Sequence, residues 1–132
     1  MLTSCERPTE ARLEGGDRPT FYLSGSGRLG TTIVYGPEEE KIADRDPSDT
    51  TYAIWEIEPE KMSEGAGLQV EGLSVTYGVV LPGYKQLKPS SGPPPPLVPG
   101  KRYRYWFVTV NAPSASGYFE IRDGKAVKVD GP

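Results

Sequence analysis

The 132-residue sequence contains no histidine and one cysteine, Cys5. Without histidine there is no imidazole to activate a serine or cysteine nucleophile, and the commonest zinc ligand is missing. A single cysteine excludes an internal disulfide and any cluster of thiolate ligands. No metal or other cofactor is expected, and only carboxylates, tyrosines, lysines and hydroxyls remain for catalysis. There is no basic excess either. Fifteen Lys and Arg face 18 Asp and Glu, a net charge of -3, so nothing favours nucleic acid or a charge-held membrane contact. No apolar run reaches the roughly 20 residues that span a bilayer, no segment reads as a convincing amphipathic helix, and no internal repeat emerges.

Glycine (16) and proline (14) are plentiful and fall mostly between apolar runs, where turns belong. The length suits one domain with a single core. Its strongest signal is Leu97-Val98-Pro99-Gly100-Lys101-Arg102-Tyr103-Arg104-Tyr105-Trp106-Phe107-Val108-Thr109-Val110, a Pro-Gly turn followed by a long strand. Alternation puts Tyr103, Tyr105, Phe107 and Thr109 on one face, and Arg102, Arg104, Trp106, Val108 and Val110 on the other. Arginines are rarely buried unpaired, so the tyrosine and phenylalanine face is expected to be the core.

The spacing Leu97-x-Pro99-Gly100-x-x-Tyr103-x-Tyr105-x-Phe107 resembles the F-strand signature of fibronectin type III domains. The resemblance implies an all-β, immunoglobulin/fibronectin type III-like sandwich of about seven strands with long irregular loops. It also implies that Tyr103 is a corner tyrosine, bonding backbone a few residues upstream, with Leu97 packed beside it. Trp55, followed by Pro59, is similar to the strand-B tryptophan of that family.

Leu2-Thr3-Ser4-Cys5 resembles a bacterial lipobox: an aliphatic residue, two small residues and the cysteine that receives diacylglycerol. Only a thiol forms the thioether, and small residues let a peptidase hold the extended backbone beside it. A lipoprotein precursor also carries basic and apolar regions upstream. Here only Met1 and Leu2 precede the motif, so a start trimmed at the cleavage site or placed late is expected. The resemblance implies lipidation of Cys5, a durable anchor in the bacterial envelope, and Glu6 after the cysteine favours outer-membrane delivery. A cytosolic free thiol is the alternative. Residues 6–18 are charged and aperiodic, which gives a division into a lipidation site and flexible tether over 1–19 and a sandwich over 20–130.

Within the body, Thr20-Phe21-Tyr22-Leu23-Ser24 reads as a short strand. Gly25-Ser26-Gly27-Arg28-Leu29-Gly30 fits G-x-G-x-x-G, but β-branched Thr31-Thr32-Ile33-Val34-Tyr35 follows where a dinucleotide fold needs a helix. A loop between two strands is expected there. Glu38 to Asp49 is an acidic insertion with no EF-hand spacing. Tyr52 to Pro59 alternates, with Ala53, Trp55 and Ile57 inward and Glu56 and Glu58 outward. Lys61 to Gly67 is a loop. Leu73 to Leu81 is expected as a strand with Leu73, Val75, Tyr77 and Val79 inward, ended by Pro82-Gly83. Tyr84 to Pro96 reads as a long connection. Its Pro93–Pro96 tract favours polyproline II, either as a stiff strap across the sandwich edge or as a docking segment for a partner's aromatic groove. Asn111 to Gly117 is a loop, and Asp123-Gly124 marks a hairpin between Tyr118–Ile121 and Lys125–Val129.

If Leu73–Leu81, Arg102–Val110 and Tyr118–Ile121 share a sheet, its outer face presents Arg102, Arg104 and Trp106 beside Ser74, Thr76 and Tyr118. Exposed aromatics with guanidinium neighbours suit a glycan or an envelope-protein partner. The competing expectation is that arginine stems or the acidic insertion cover Trp106. The function read from these residues is a non-catalytic envelope binding module, held to the membrane by its lipid only. The alternative is a small hydrolase, or an accessory subunit of one, using carboxylates such as Glu56, Glu58 or Asp123.

Overall fold

Period-two alternation of apolar and polar residues turns one side of each extended segment toward a common interior. The computed structural model describes residues 7–37, 52–61 and 67–130. Nine strands form within them: β1 (Glu10–Glu14), β2 (Thr20–Ser24), β3 (Arg28–Tyr35), β4 (Ala53–Pro59), β5 (Ser74–Thr76), β6 (Tyr84–Lys88), β7 (Arg102–Val110), β8 (Ala115–Arg122) and β9 (Lys125–Val129). They make two antiparallel sheets, a three-stranded one of order β1-β2-β5 and a six-stranded one of order β6-β4-β3-β7-β8-β9. The arrangement is an all-β sandwich, with no helix among the described residues.

Tyr103, Tyr105 and Phe107 are buried along β7 as their alternation requires, and Trp55 and Ile57 are buried on β4. The aromatic side chain that bridges the sheets is Phe21 of β2. Its ring lies 5.1 Å from Tyr105, 5.0 Å from Phe107 and 5.7 Å from Phe119. A second bridge is the edge-on contact of Trp55 with Tyr77, 5.6 Å between centroids. Tyr103 stacks on Phe119 of its own sheet and its hydroxyl accepts a 2.8 Å hydrogen bond from the Val98 N–H. That bond, five residues upstream, is the contact expected of a corner tyrosine. Leu97 is buried beside it in the same core.

Several expectations are corrected. The stretch expected as a flexible tether contains β1, paired with β2 from Glu10↔Ser24 to Glu14↔Thr20, and it buries Ala11. Its charges misled: glutamate and arginine on the wet face hide Ala11 and Leu13 on the other. The strand expected over Leu73–Leu81 narrows to Ser74–Thr76, because Gly78 at φ +86° breaks it. Val79 is therefore exposed and not inward. That strand joins β2 in the smaller sheet instead of lying beside β7. Trp55 stands on the fourth strand, in the larger sheet, and not on the second. The connection from Tyr84 opens with β6, which pairs with β4, and β8 begins at Ala115 inside the expected loop.

The glycine-rich segment does lie between two strands: Gly25–Gly27 turns, and Arg28–Gly30 already belongs to β3. Asp123 (φ 51°) and Gly124 (φ 77°) form the two-residue turn between β8 and β9, a primed hairpin that needs left-handed backbone at both positions. Residues 93–96 run past Tyr77, whose hydroxyl donates to the Pro95 carbonyl at 2.7 Å. Gln86 secures the start of this crossing. It accepts from the Trp55 indole N–H (3.0 Å) and donates to the carbonyls of Pro89 (2.9 Å) and Gly92 (2.8 Å). The acidic insertion from Glu38 to Asp49, and all of the Lys61–Gly67 loop except its two ends, lie outside the described residues.

Candidate functional site

Antiparallel register decides which side chains share the outer face of the larger sheet. Opposite Trp106 on β7 stand Ile33 on β3 and Ser116 on β8; opposite Arg104 stand Tyr35 and Tyr118; opposite Arg102 stands Glu120. Directly opposed residues point the same way, so Arg102, Arg104, Trp106 and Tyr118 lie on one face of the larger sheet. The strand supplying their third expected neighbour is replaced by β3, and Ser74 and Thr76 are on the other sheet.

On this face Tyr118 lies under both guanidinium groups, with Cζ of Arg102 5.6 Å and Cζ of Arg104 5.7 Å from its ring centroid. Each contact is a cation–π interaction of about 0.5–1 kcal/mol where solvent reaches it. All four candidate residues are half-buried, so Trp106 and Tyr118 are not the fully exposed rings that alternation alone suggested. Arg102 Nε is shielded from water and has no hydrogen-bond acceptor among the described residues. Glu120, across from Arg102, takes a 3.0 Å bond from Nε of Arg122 instead. Ile33 and Tyr35, each 3% exposed, lie outside the main core cluster although they are buried. The outer surface of β3 and β7 is thus itself densely packed, with arginine stems lying along aromatic rings.

The carboxylates considered for catalysis are dispersed. Glu56 and Glu58 stand on β4, whereas Asp123 is at the β8–β9 turn, with β3 and β7 between. Burial pushes the Glu56 carboxyl above its ordinary value; Lys88 opposes the shift and Glu58 adds to it. No group of three or more His, Cys, Asp or Glu is placed to hold a metal among the described residues. No helix there is long and apolar enough to cross a membrane.

Two hollows were not legible in the sequence. One, of about 490 Å³, lies on the smaller sheet between Arg12, Tyr22, Glu10 and Glu71; Cζ of Arg12 sits 4.8 Å from the Tyr22 centroid. The other, of about 370 Å³, runs between Arg18 and Pro93–Pro96 over Tyr77. Both require segments far apart in the chain, which no local pattern announces. A third feature, also missed, is a cluster at one end of the sandwich. Arg7 donates its N–H to Ser26 Oγ (2.8 Å) and pairs with Glu71 (3.0 Å). Thr9, 5% exposed, donates its N–H to the Pro113 carbonyl (3.0 Å) and its hydroxyl to Thr109 (3.0 Å). A hydrogen bond from the Gly25 N–H and the Arg7 guanidinium hold the Glu71 carboxyl below its ordinary value.

Comparison with known protein families, curated proteins and solved structures found no match to the chain.

Proposed function

We propose that this chain is a non-catalytic binding module of the bacterial cell envelope, tethered through lipid on Cys5. The observation that carries the binding role is the arginine–aromatic face of β7 and β8. Two guanidinium groups already converge on one tyrosine beside a half-buried tryptophan, so little side-chain freedom is lost when a ligand arrives. Planar guanidinium donors and aromatic rings together suit a glycan bearing carboxylates or an acidic protein surface.

The fibronectin type III-like reading of the fold draws support from two features. One is the Tyr103–Val98 bond at the start of β7. The other is strand order, since β1-β2-β5 against β4-β3-β7-β8 parallels A-B-E against C′-C-F-G of the immunoglobulin-type sandwich. β6 and β9 are then additions at the two edges of the larger sheet. The lipid anchor is supported by the lipobox-like sequence alone.

Two measurements test the proposal. Intact mass of the protein isolated from the membranes of the cells that naturally make it should show a diacylglyceryl adduct, which Cys5→Ser in the same cells abolishes; an unmodified Cys5 thiol there would refute the anchor. An array of acidic and neutral envelope polysaccharides should retain the purified chain and release it on Arg102→Ala or Trp106→Ala, with circular dichroism unchanged. Equal retention of both variants would refute the face.

A further inference from the structure

The end of the domain nearest Cys5 is not loose. Arg7 and Ser26 exchange three hydrogen bonds: the 2.8 Å bond from the Arg7 N–H to Ser26 Oγ, and bonds to the Arg7 carbonyl from the Ser26 N–H (3.2 Å) and the Ser26 hydroxyl (3.3 Å). Thr9 is fixed to Pro113 and Thr109, and Thr109 in turn donates to the Ala112 carbonyl at 3.0 Å. Two residues later Ala11 enters the core. Only two peptide steps separate Cys5 from Arg7, a reach of about 7 Å at full extension. A lipid on Cys5 thus leaves no slack between bilayer and domain.

We propose that this end of the sandwich is a membrane-apposed surface. It is formed by Arg7–Thr9 and the turns at Gly25–Gly27, Val70–Gly72 and Asn111–Ser114, and it rests on phospholipid headgroups when Cys5 carries the anchor. The surface suits that neighbour: Val110 is 52% exposed at its rim, and the Glu71 charge is answered by Arg7. The strands then stand along the bilayer normal. β7 spans nine residues, about 27 Å, so Arg102, Arg104 and Tyr118 are held at its far end, clear of the headgroups and open to a partner in the periplasmic space or beyond.

The proposal rests on Cys5 as the point of attachment, and the test separates that premise from the orientation. Cys5 is the only thiol, so the full chain can be coupled to a maleimide-headgroup lipid in phosphatidylcholine nanodiscs carrying a gadolinium-chelate lipid. Amide signals of Ser26, Gly72 and Asn111 should broaden several-fold more than those of Gly100 and Gly124 at the other end. Equal broadening at both ends, or broadening concentrated along β6 or β9, would overturn the orientation. A second variant with ten Gly and Ser residues inserted between Glu6 and Arg7 should lose the gradient; its persistence would show that the short connection is not the cause. Failure of lipidation in cells is read separately, by the mass measurement above.

Discussion

Thr32 sits on the inner face of β3, opposite Phe107 on one side and Ile57 on the other. It is 1% exposed, and its hydroxyl has no hydrogen-bond partner among the described residues. A buried hydroxyl without a partner costs about 1–3 kcal/mol, and valine fills nearly the same volume without that cost. Thr32→Val is expected to raise stability by about 1 kcal/mol, measured as an increased urea midpoint at constant slope. Tyr103 is the opposite case. Removing its hydroxyl in Tyr103→Phe leaves the Val98 N–H without its acceptor while the ring stays packed on Phe119. The expected loss is about 1–2 kcal/mol, with the aromatic near-ultraviolet spectrum retained; a loss near zero would mean that water replaces the acceptor.

Among the elements, β1 was hidden by its own charge. EARLE offers two apolar positions in five, too few to distinguish a half-wet strand from a polar linker. Only the ladder to β2 supplies the reason for it to be extended. That ladder also protects β2, which would otherwise present a free edge with Phe21 behind it. A chain that starts at Gly15 is therefore expected to lose at least about 3 kcal/mol, from Ala11, the half-buried Leu13 and their pairing. Its unfolding midpoint and its tendency to aggregate, read by light scattering, check this together. Unchanged behaviour would mean that β1 is the dispensable tether its composition suggests. The strand after Leu73 is shorter than its composition suggests. Valine and leucine continue to Leu81, but Gly78 takes a backbone conformation that a strand cannot use.

Across the whole molecule, tyrosines are placed so that alkali acts on the unfolded chain first. Burial raises the ionisation of Tyr77, Tyr84 and Tyr105 above the ordinary tyrosine value, and Tyr103 adds to the shift at Tyr77. The unfolded state releases these protons near pH 10 while the folded state keeps them, so the folded state binds more protons and stability falls as pH rises. Cooperative unfolding above about pH 10 is expected, with the phenolate absorbance of these three, read as the difference from the Tyr77→Phe, Tyr84→Phe and Tyr105→Phe variants, rising in the same transition that ellipticity is lost. Their phenolate signal appearing well before the loss of ellipticity would show that these hydroxyls are open to solvent. The same packing explains why the proposed binding face is quieter than its composition implied. On a six-stranded sheet the centre of the outer face is crowded by its own neighbours, so Trp106 is half-buried although nothing in the alternation of β7 requires it.

Period-two alternation determined the all-β character, the inward aromatic face of β7 and the burial of Trp55, and the Asp123-Gly124 dipeptide determined the tight turn between β8 and β9, because each depends on residues within a few positions of one another. The partner of each strand, the bridging place of Phe21, the fate of the first strand and the surroundings of Arg102 and Trp106 were decided by tertiary structure. They depend on hydrogen bonds and ring contacts between segments tens of residues apart, and a strand's own pattern states which face is apolar but not what will cover it.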